Sequence, residues 1–221
     1  MKIKYRLSSM VTRMMVFVIA LLSFILLNRA SSTQMATALE SQERLAAEQA
    51  RIIQMRYEFY LRTAGALADT LVDFDAANTG RQRNRFEQLM KSIIISEERA
   101  VGTFAVFKPD TIDPGMDALF AGEPGGTESG QWAPWYTRQT GNIEFLTFND
   151  VPAMMNIING PDARRETIDN PVLQMVAGRN TYVAKVSVPV IHRRTNEVIG
   201  RVGINVNTAY TQPEEDKRFD R

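Results

Sequence analysis

Thr181-Tyr182-Val183-Ala184-Lys185-Val186-Ser187-Val188-Pro189-Val190-Ile191 is the stretch on which the fold turns. It is rich in β-branched residues and alternates in its middle. Arg193-Arg194-Thr195-Asn196-Glu197 then reverses the chain, and Val198 to Val206 returns with Gly200 and Gly203 inside the run. Two such runs around a polar turn predict a long antiparallel hairpin. Shorter β runs precede it. Gly102 to Phe107 is stopped by Lys108-Pro109-Asp110, and residues 111–130 are loop-rich. Trp132–Tyr136 and Ile143–Phe148 flank the turn signal Thr140-Gly141-Asn142, and Val151–Ile158 suits a short helix.

Before these strands the period is helical. From Ser31 to Phe74 there is no proline and only Gly65 among glycines. Ala38, Leu45, Ile52 and Phe59 fall seven apart beside Leu39, Ala46, Ile53 and Tyr60, which makes one wide apolar face. Ser31-Ser32-Thr33 offers caps for a long stalk helix over 31–74, with Asn78-Thr79-Gly80 as its stop. Arg81 to Ile95 reads as a second helix. A helix followed by short strands and a closing hairpin defines an α+β module with one antiparallel sheet, over 75–210. The polar stretch 211–221 follows it.

At the start, Lys2, Lys4, Arg6 and Arg13 stand without an acid, and Met14 to Leu27 is apolar except for Ser23. Adding Met10–Thr12, and letting Arg13 and Arg29 snorkel, brings residues 10–28 near the length of a membrane span. The basic segment 1–9 then lies in the cytoplasm and everything after about residue 29 outside it. A cleaved signal peptide shares this pattern, with Ala30-Ser31-Ser32 as the small-residue site. The expectation is a retained signal-anchor in the inner membrane, with a periplasmic module beyond.

Composition excludes much chemistry. The 221 residues hold 26 Lys+Arg and 25 Asp+Glu, so a nucleic-acid partner is not expected. With no cysteine and one histidine, thiol chemistry, disulfides and zinc sites are set aside. Asp110, Asp113 and Asp117 do not make a calcium loop, because Pro114 interrupts them. No nucleophile elbow or phosphate loop occurs, and Ser187 has no base near it in sequence. The expectation is a binding protein, not an enzyme, with no cofactor and no metal.

The order Phe107-Lys108-Pro109-Asp110, Asp113-Pro114-Gly115-Met116-Asp117, Gly130-Gln131-Trp132-Ala133-Pro134-Trp135-Tyr136-Thr137-Arg138, Asn170-Pro171, Gly178-Arg179-Asn180 and Ile199-Gly200-Arg201-Val202-Gly203-Ile204-Asn205-Val206 resembles the membrane-distal half of double-Cache sensor domains. These are extracytoplasmic parts of methyl-accepting chemotaxis receptors and related kinases. The resemblance implies a PAS-like module with a small-molecule pocket, working beside a second module, a second membrane helix and a cytoplasmic signalling bundle. The chain stops at Arg221, so the expectation is a receptor truncated before those parts. The resemblance also implies charged anchors for an amino acid. Ala133 stands where an arginine would hold the carboxylate, and Asn205 where an aspartate would hold the amine, so a less charged ligand is expected.

On this basis the candidate ligand-binding residues are Trp135, Tyr136, Trp132, Asp150, Tyr182 and Asn205. Each has a plainer reading: the aromatic rings as core, Asp150 as a turn cap, and Asn205 as a buried amide with internal partners. On the ligand reading, Trp135→Ala removes binding and leaves the fold intact. The expected partners are a small-molecule ligand, the membrane, a second copy through the long helix and a partner signalling protein. Two other functions stay open: a membrane-anchored structural or interaction protein with a ligand-free cap, and a cleaved, secreted solute-binding protein.

Overall fold

The computed structural model describes residues 2–71, 79–112 and 114–208. Two units divide the chain, residues 1–55 and 56–221. Helix α1 runs Lys2–Leu71, so Ser31-Ser32-Thr33 lies inside a helix and not at its start. The stretch has no proline to break it, and serine or threonine inside a helix costs only a few tenths of a kcal/mol, about what propensity scales assign. In the first unit the apolar run Met14–Leu26 exposes its side chains on all sides, Phe17 at 69% and Leu26 at 66%. Among the described residues, no helix is long and apolar enough to cross a membrane. The side chains that would lengthen the run, residues 10–12 and Leu27, lie outside the described set, as do 72–78 and the tail 211–221.

The second unit is the α+β module. Helix α2 (Thr79–Ser96) is followed by β1 (Ala100–Phe107), β2 (Pro134–Thr137), β3 (Glu144–Thr147), α3 (Val151–Ile158), β4 (Thr167–Ile168), β5 (Val172–Val176), β6 (Arg179–Ile191) and β7 (Val198–Asn207). All pairings are antiparallel, in the order β3-β2-β1-β7-β6-β4, with β5 also on β6. The expected hairpin is β6–β7. A second hairpin, β5–β6, turns at Ala177 and Gly178, both with positive φ (48° and 75°), as a tight hairpin needs. Thr79 and Gly80 open α2 instead of ending α1.

Alternation along each strand sends side chains to two faces. On one face Ala105, Phe107, Val186, Val202 and Ile204 pack against Tyr60, Ala64 and Leu67 of α1 and against Phe86, Met90 and Ile94 of α2. On the other, Phe104, Val106, Trp135 and Phe148 pack under Met154 and Ile158 of α3. The two glycines of β7 are spacers for the aromatic rings paired across from them. A Cβ on Gly203 would meet Phe104 Cζ at 2.3 Å, and one on Gly200 would meet Phe107 Cδ1 at 2.5 Å.

Arg201 is fully buried on β7. Its guanidinium donates to Ser187 Oγ (3.2 Å) and Ser187 O (3.1 Å) on β6, and to Ala163 O (3.1 Å), Arg165 O (2.8 Å) and Thr167 Oγ1 (3.3 Å) on the segment leading into β4. One side chain therefore holds that segment onto the sheet. Tyr60, also buried, donates its hydroxyl to Glu97 Oε1 at 3.2 Å. Burial, then the Glu97 charge and that hydrogen bond, push its pKa up to about 12.

Two outcomes follow. Arg201→Met strands the carbonyls of residues 163 and 165, lowers stability by at least about 1–3 kcal/mol in urea denaturation, and speeds tryptic cleavage at the exposed Arg164 and Arg165. The Tyr60 phenol keeps its proton in the folded state after the unfolded chain has lost it. Its contribution is present below about pH 10 and is lost as pH rises toward about 12. Urea midpoints across that window fall less steeply in Tyr60→Phe than in the native chain; equal slopes would refute the assignment.

Candidate functional site

The face that carries α3 holds a cavity of about 430 Å³. Its buried lining is Trp135, Phe148, Val183 and Asn205, with Lys185 half-buried; its exposed rim includes Asp150, Asp169 and Asn170. Gln139 and Gln174 close one side, with Gln139 Nε2 donating to Gln174 Oε1 at 3.3 Å. Trp135 stands edge-on to Phe148 at 6.0 Å, and Phe148 stacks on Phe104 at 4.5 Å. Lys185 Nζ lies 5.6 Å over the Phe148 ring and 3.9 Å from Asp169 Oδ2. Aromatic walls with a few convergent polar groups are the usual make-up of a small-molecule site.

Two polar atoms in this lining are buried without a hydrogen-bond partner, Trp135 Nε1 and Asn205 Oδ1. Gly102 lies between these two side chains. A Cβ there would sit 2.8 Å from Trp135 Nε1 and 3.5 Å from Asn205 Nδ2. Register explains the convergence: Gly102 of β1 pairs with Asn205 of β7, while Phe104, two residues on and on the same face, pairs with Trp135 of β2. Pairs of this kind put side chains from three strands side by side.

The six sequence candidates divide between the faces. Trp135, Asn205 and Asp150 meet in this cavity. Asp150 stands before α3 but makes no side-chain capping bond there. Tyr136, next to Trp135, points to the helix face and packs on Phe145 at 4.7 Å. Burial and the Glu87 charge raise its pKa. Tyr182 shares the parity of Ala184 and Val186, so it belongs to the helix face, where it is 54% exposed. Trp132 lies outside β2, joined to Gly126 by an isolated bridge, and stacks on Phe107 at 5.0 Å. Lys185, Asp169, Phe148 and Gln174 were not singled out; inward parity on β6 would have marked Lys185 beside Val183.

Trp132 lines a second cavity of about 490 Å³ on the α2 side. There Arg83, 5% exposed, lies between the Phe120 and Trp132 rings (4.0 and 5.0 Å) and pairs with the buried Asp117 at 3.5 Å. Asp117 Oδ2 also accepts the Asp110 N–H at 2.7 Å, so this carboxylate is a structural clasp for the loop. Burial raises the Glu87 pKa, against a hydrogen bond from Trp132 and the charge of Arg83. Among the described residues, no group of three or more His, Cys, Asp or Glu is placed to hold a metal ion.

No protein-family model matches the chain, and no curated protein matches it by sequence. Solved structures match by fold. The extracellular domain of the putative histidine kinase mmHK1S-Z2 aligns with a TM-score of 0.64 at 18% identity, over 77% of this chain and 60% of its own. That of mmHK1S-Z3 aligns at 0.57 and 15% identity, over 70% and 53%. The periplasmic sensory domain of the Campylobacter jejuni chemoreceptor Tlp1 aligns at 0.53 and 14% identity, over 72% and 57%. The module thus has the fold of Cache-type extracellular sensor domains, and the chain spans somewhat over half the length of these structures.

Gly102→Ala tests the cavity floor. The new methyl meets Trp135 Nε1 and the Tyr136 carbonyl, 3.0 Å away, so the indole has to move. The expected result is a loss of about 1–3 kcal/mol, typical of overpacking, with a shifted tryptophan emission. An unchanged spectrum and midpoint would show that the floor is looser than this.

Proposed function

We propose that this chain is the extracytoplasmic small-molecule sensing part of a chemotaxis or signal-transduction receptor. The observation that carries the reading is a pair of residues lining a cavity of about 430 Å³: Trp135 and Asn205 each bury a polar atom, the indole N–H and the amide oxygen, without a partner. A protein with no use for the space would fill it or satisfy those groups, since each unmet group costs on the order of 1–3 kcal/mol. The fold shared with sensor domains supports the same reading.

The first unit supports membrane anchoring. A helix that is apolar all round belongs in lipid or in a core, and Met14–Leu26 is exposed on every side after a basic start. In this reading α1 is a retained anchor, the module lies outside the cytoplasm, and the long helix pairs with a second copy. Output passes to a signalling protein or to further domains. The chain binds; it does not catalyse.

A thermal-shift screen of the chain against amino acids, organic acids, amines, purines and sugars tests this. A true ligand at roughly 100 times its Kd adds about 2.7 kcal/mol and raises Tm by about 5–11 °C. A flat response from a well-folded sample overturns the sensor reading and leaves the module as a ligand-free cap.

A further inference from the structure

The chemistry of the floor narrows the ligand. Resting on the reading of this cavity as a binding site, we propose that it takes an uncharged molecule with an amide-type edge, a C=O beside an N–H, as in a lactam, a ureide ring or a carboxamide.

The unmet groups are complementary to such an edge. The Trp135 indole nitrogen can only donate, and the Asn205 carbonyl can only accept. Both are buried, the two residues being 5% and 8% exposed, and neither atom has a partner. The two residues flank the same small residue, Gly102: a Cβ there would lie 2.8 Å from Trp135 Nε1 and 3.5 Å from Asn205 Nδ2, the amide nitrogen bonded to the same carbon as the unmet Oδ1. A ligand C=O takes the indole N–H, and its neighbouring N–H donates to Asn205 Oδ1. A carboxylate satisfies the first group and leaves the second unmet; an ammonium does the reverse.

The charges agree. Lys185, the only basic residue in the lining, is already 3.9 Å from Asp169. A ligand carboxylate would therefore have to share Lys185 with Asp169. The remaining lining carboxylate, Asp150, is exposed at the rim, where water screens it. The rest of the polar lining is carboxamide: Gln139, Asn149, Asn170, Gln174 and Asn205. Such groups offer donors and acceptors without net charge. Edge-on Trp135 and the Phe148 face add a flat apolar wall that suits a ring.

The test is calorimetry and thermal shift on the full 221-residue chain in detergent. The probes are uracil, 2-pyrrolidone and nicotinamide, set against L-alanine, succinate and putrescine. At least one amide probe is expected to bind where the charged probes do not. Trp135→Phe keeps a ring but removes the N–H, and is expected to weaken that probe roughly tenfold, as loss of one buried hydrogen bond does. Asn205→Leu is expected to do the same; if that variant fails to fold, Trp135→Phe alone decides. Binding of a charged probe with none of the amides overturns the ligand class and leaves the sensor reading standing. Amide binding that is unchanged in Trp135→Phe overturns the proposed contact. Silence from these six probes, with a hit elsewhere in the wider solute screen, also overturns the class, whereas silence throughout overturns the sensor reading itself.

Discussion

A single buried cation organises the cavity side of the sheet. Arg201 sits at the centre of β7 and spends its donors on neutral oxygens: two on Ser187, two main-chain carbonyls and the Thr167 hydroxyl. Burial pulls its pKa below the ordinary arginine value, and the charge of Asp169 opposes that shift. A guanidinium can bear this because it is weakly hydrated and offers five donors in a fixed fork. The cost of desolvating it is offset only while all of those oxygens stay in place. The segment 163–167 is therefore held by a group that has no better alternative, and the cavity rim at Asp169 and Asn170 follows from it.

Glycine plays the matching part on the other strand positions. Gly203 and Gly200 give up their side chains to the Phe104 and Phe107 rings, one on each face. Gly102 gives up its own to the indole of Trp135 and the amide of Asn205. The same absence of a Cβ thus does two jobs. At Gly203 and Gly200 it closes the core, and at Gly102 it lets the Trp135 indole and the Asn205 amide approach, each of which buries one polar atom without a partner. Close packing and an unmet polar floor coexist because they lie at different positions of one ladder.

Much of this was legible in the sequence, and the failures share a cause. The α+β class, β1, the β6–β7 hairpin and α3 are where the residue patterns place them. Of the ligand candidates, Trp135 and Asn205 meet because strand register brings them to Gly102. Tyr136 and Tyr182 lie elsewhere because a strand alternates its faces. Trp135 and Tyr136 are adjacent, so one cavity cannot take both, and Tyr182 has the parity of Val186. That argument was available without a structure. The role of Arg201 was not, since nothing local distinguishes an inward arginine on a glycine-rich strand from a solvated one. Trp135 is also core as well as lining, through Phe148. Trp135→Ala therefore removes packing worth about 3–5 kcal/mol together with any contact, so a loss of stability is expected beside any loss of binding.

Any effect of a ligand on the helices has to cross the sheet, and the chain offers short connections. Thr103, next to Gly102, turns to the opposite face and donates its hydroxyl to Met90 O of α2 at 3.1 Å. Gln139 lines the cavity, and Arg138 beside it donates to Ile94 O and Glu98 O at the end of α2. Basic side chains on the last carbonyls of a helix also oppose its dipole favourably. The cavity and the C-terminal end of α2 are thus joined through neighbouring residues on β1 and just after β2. A ligand bound in the cavity would move α2 only in so far as it favoured one arrangement of these strands over another.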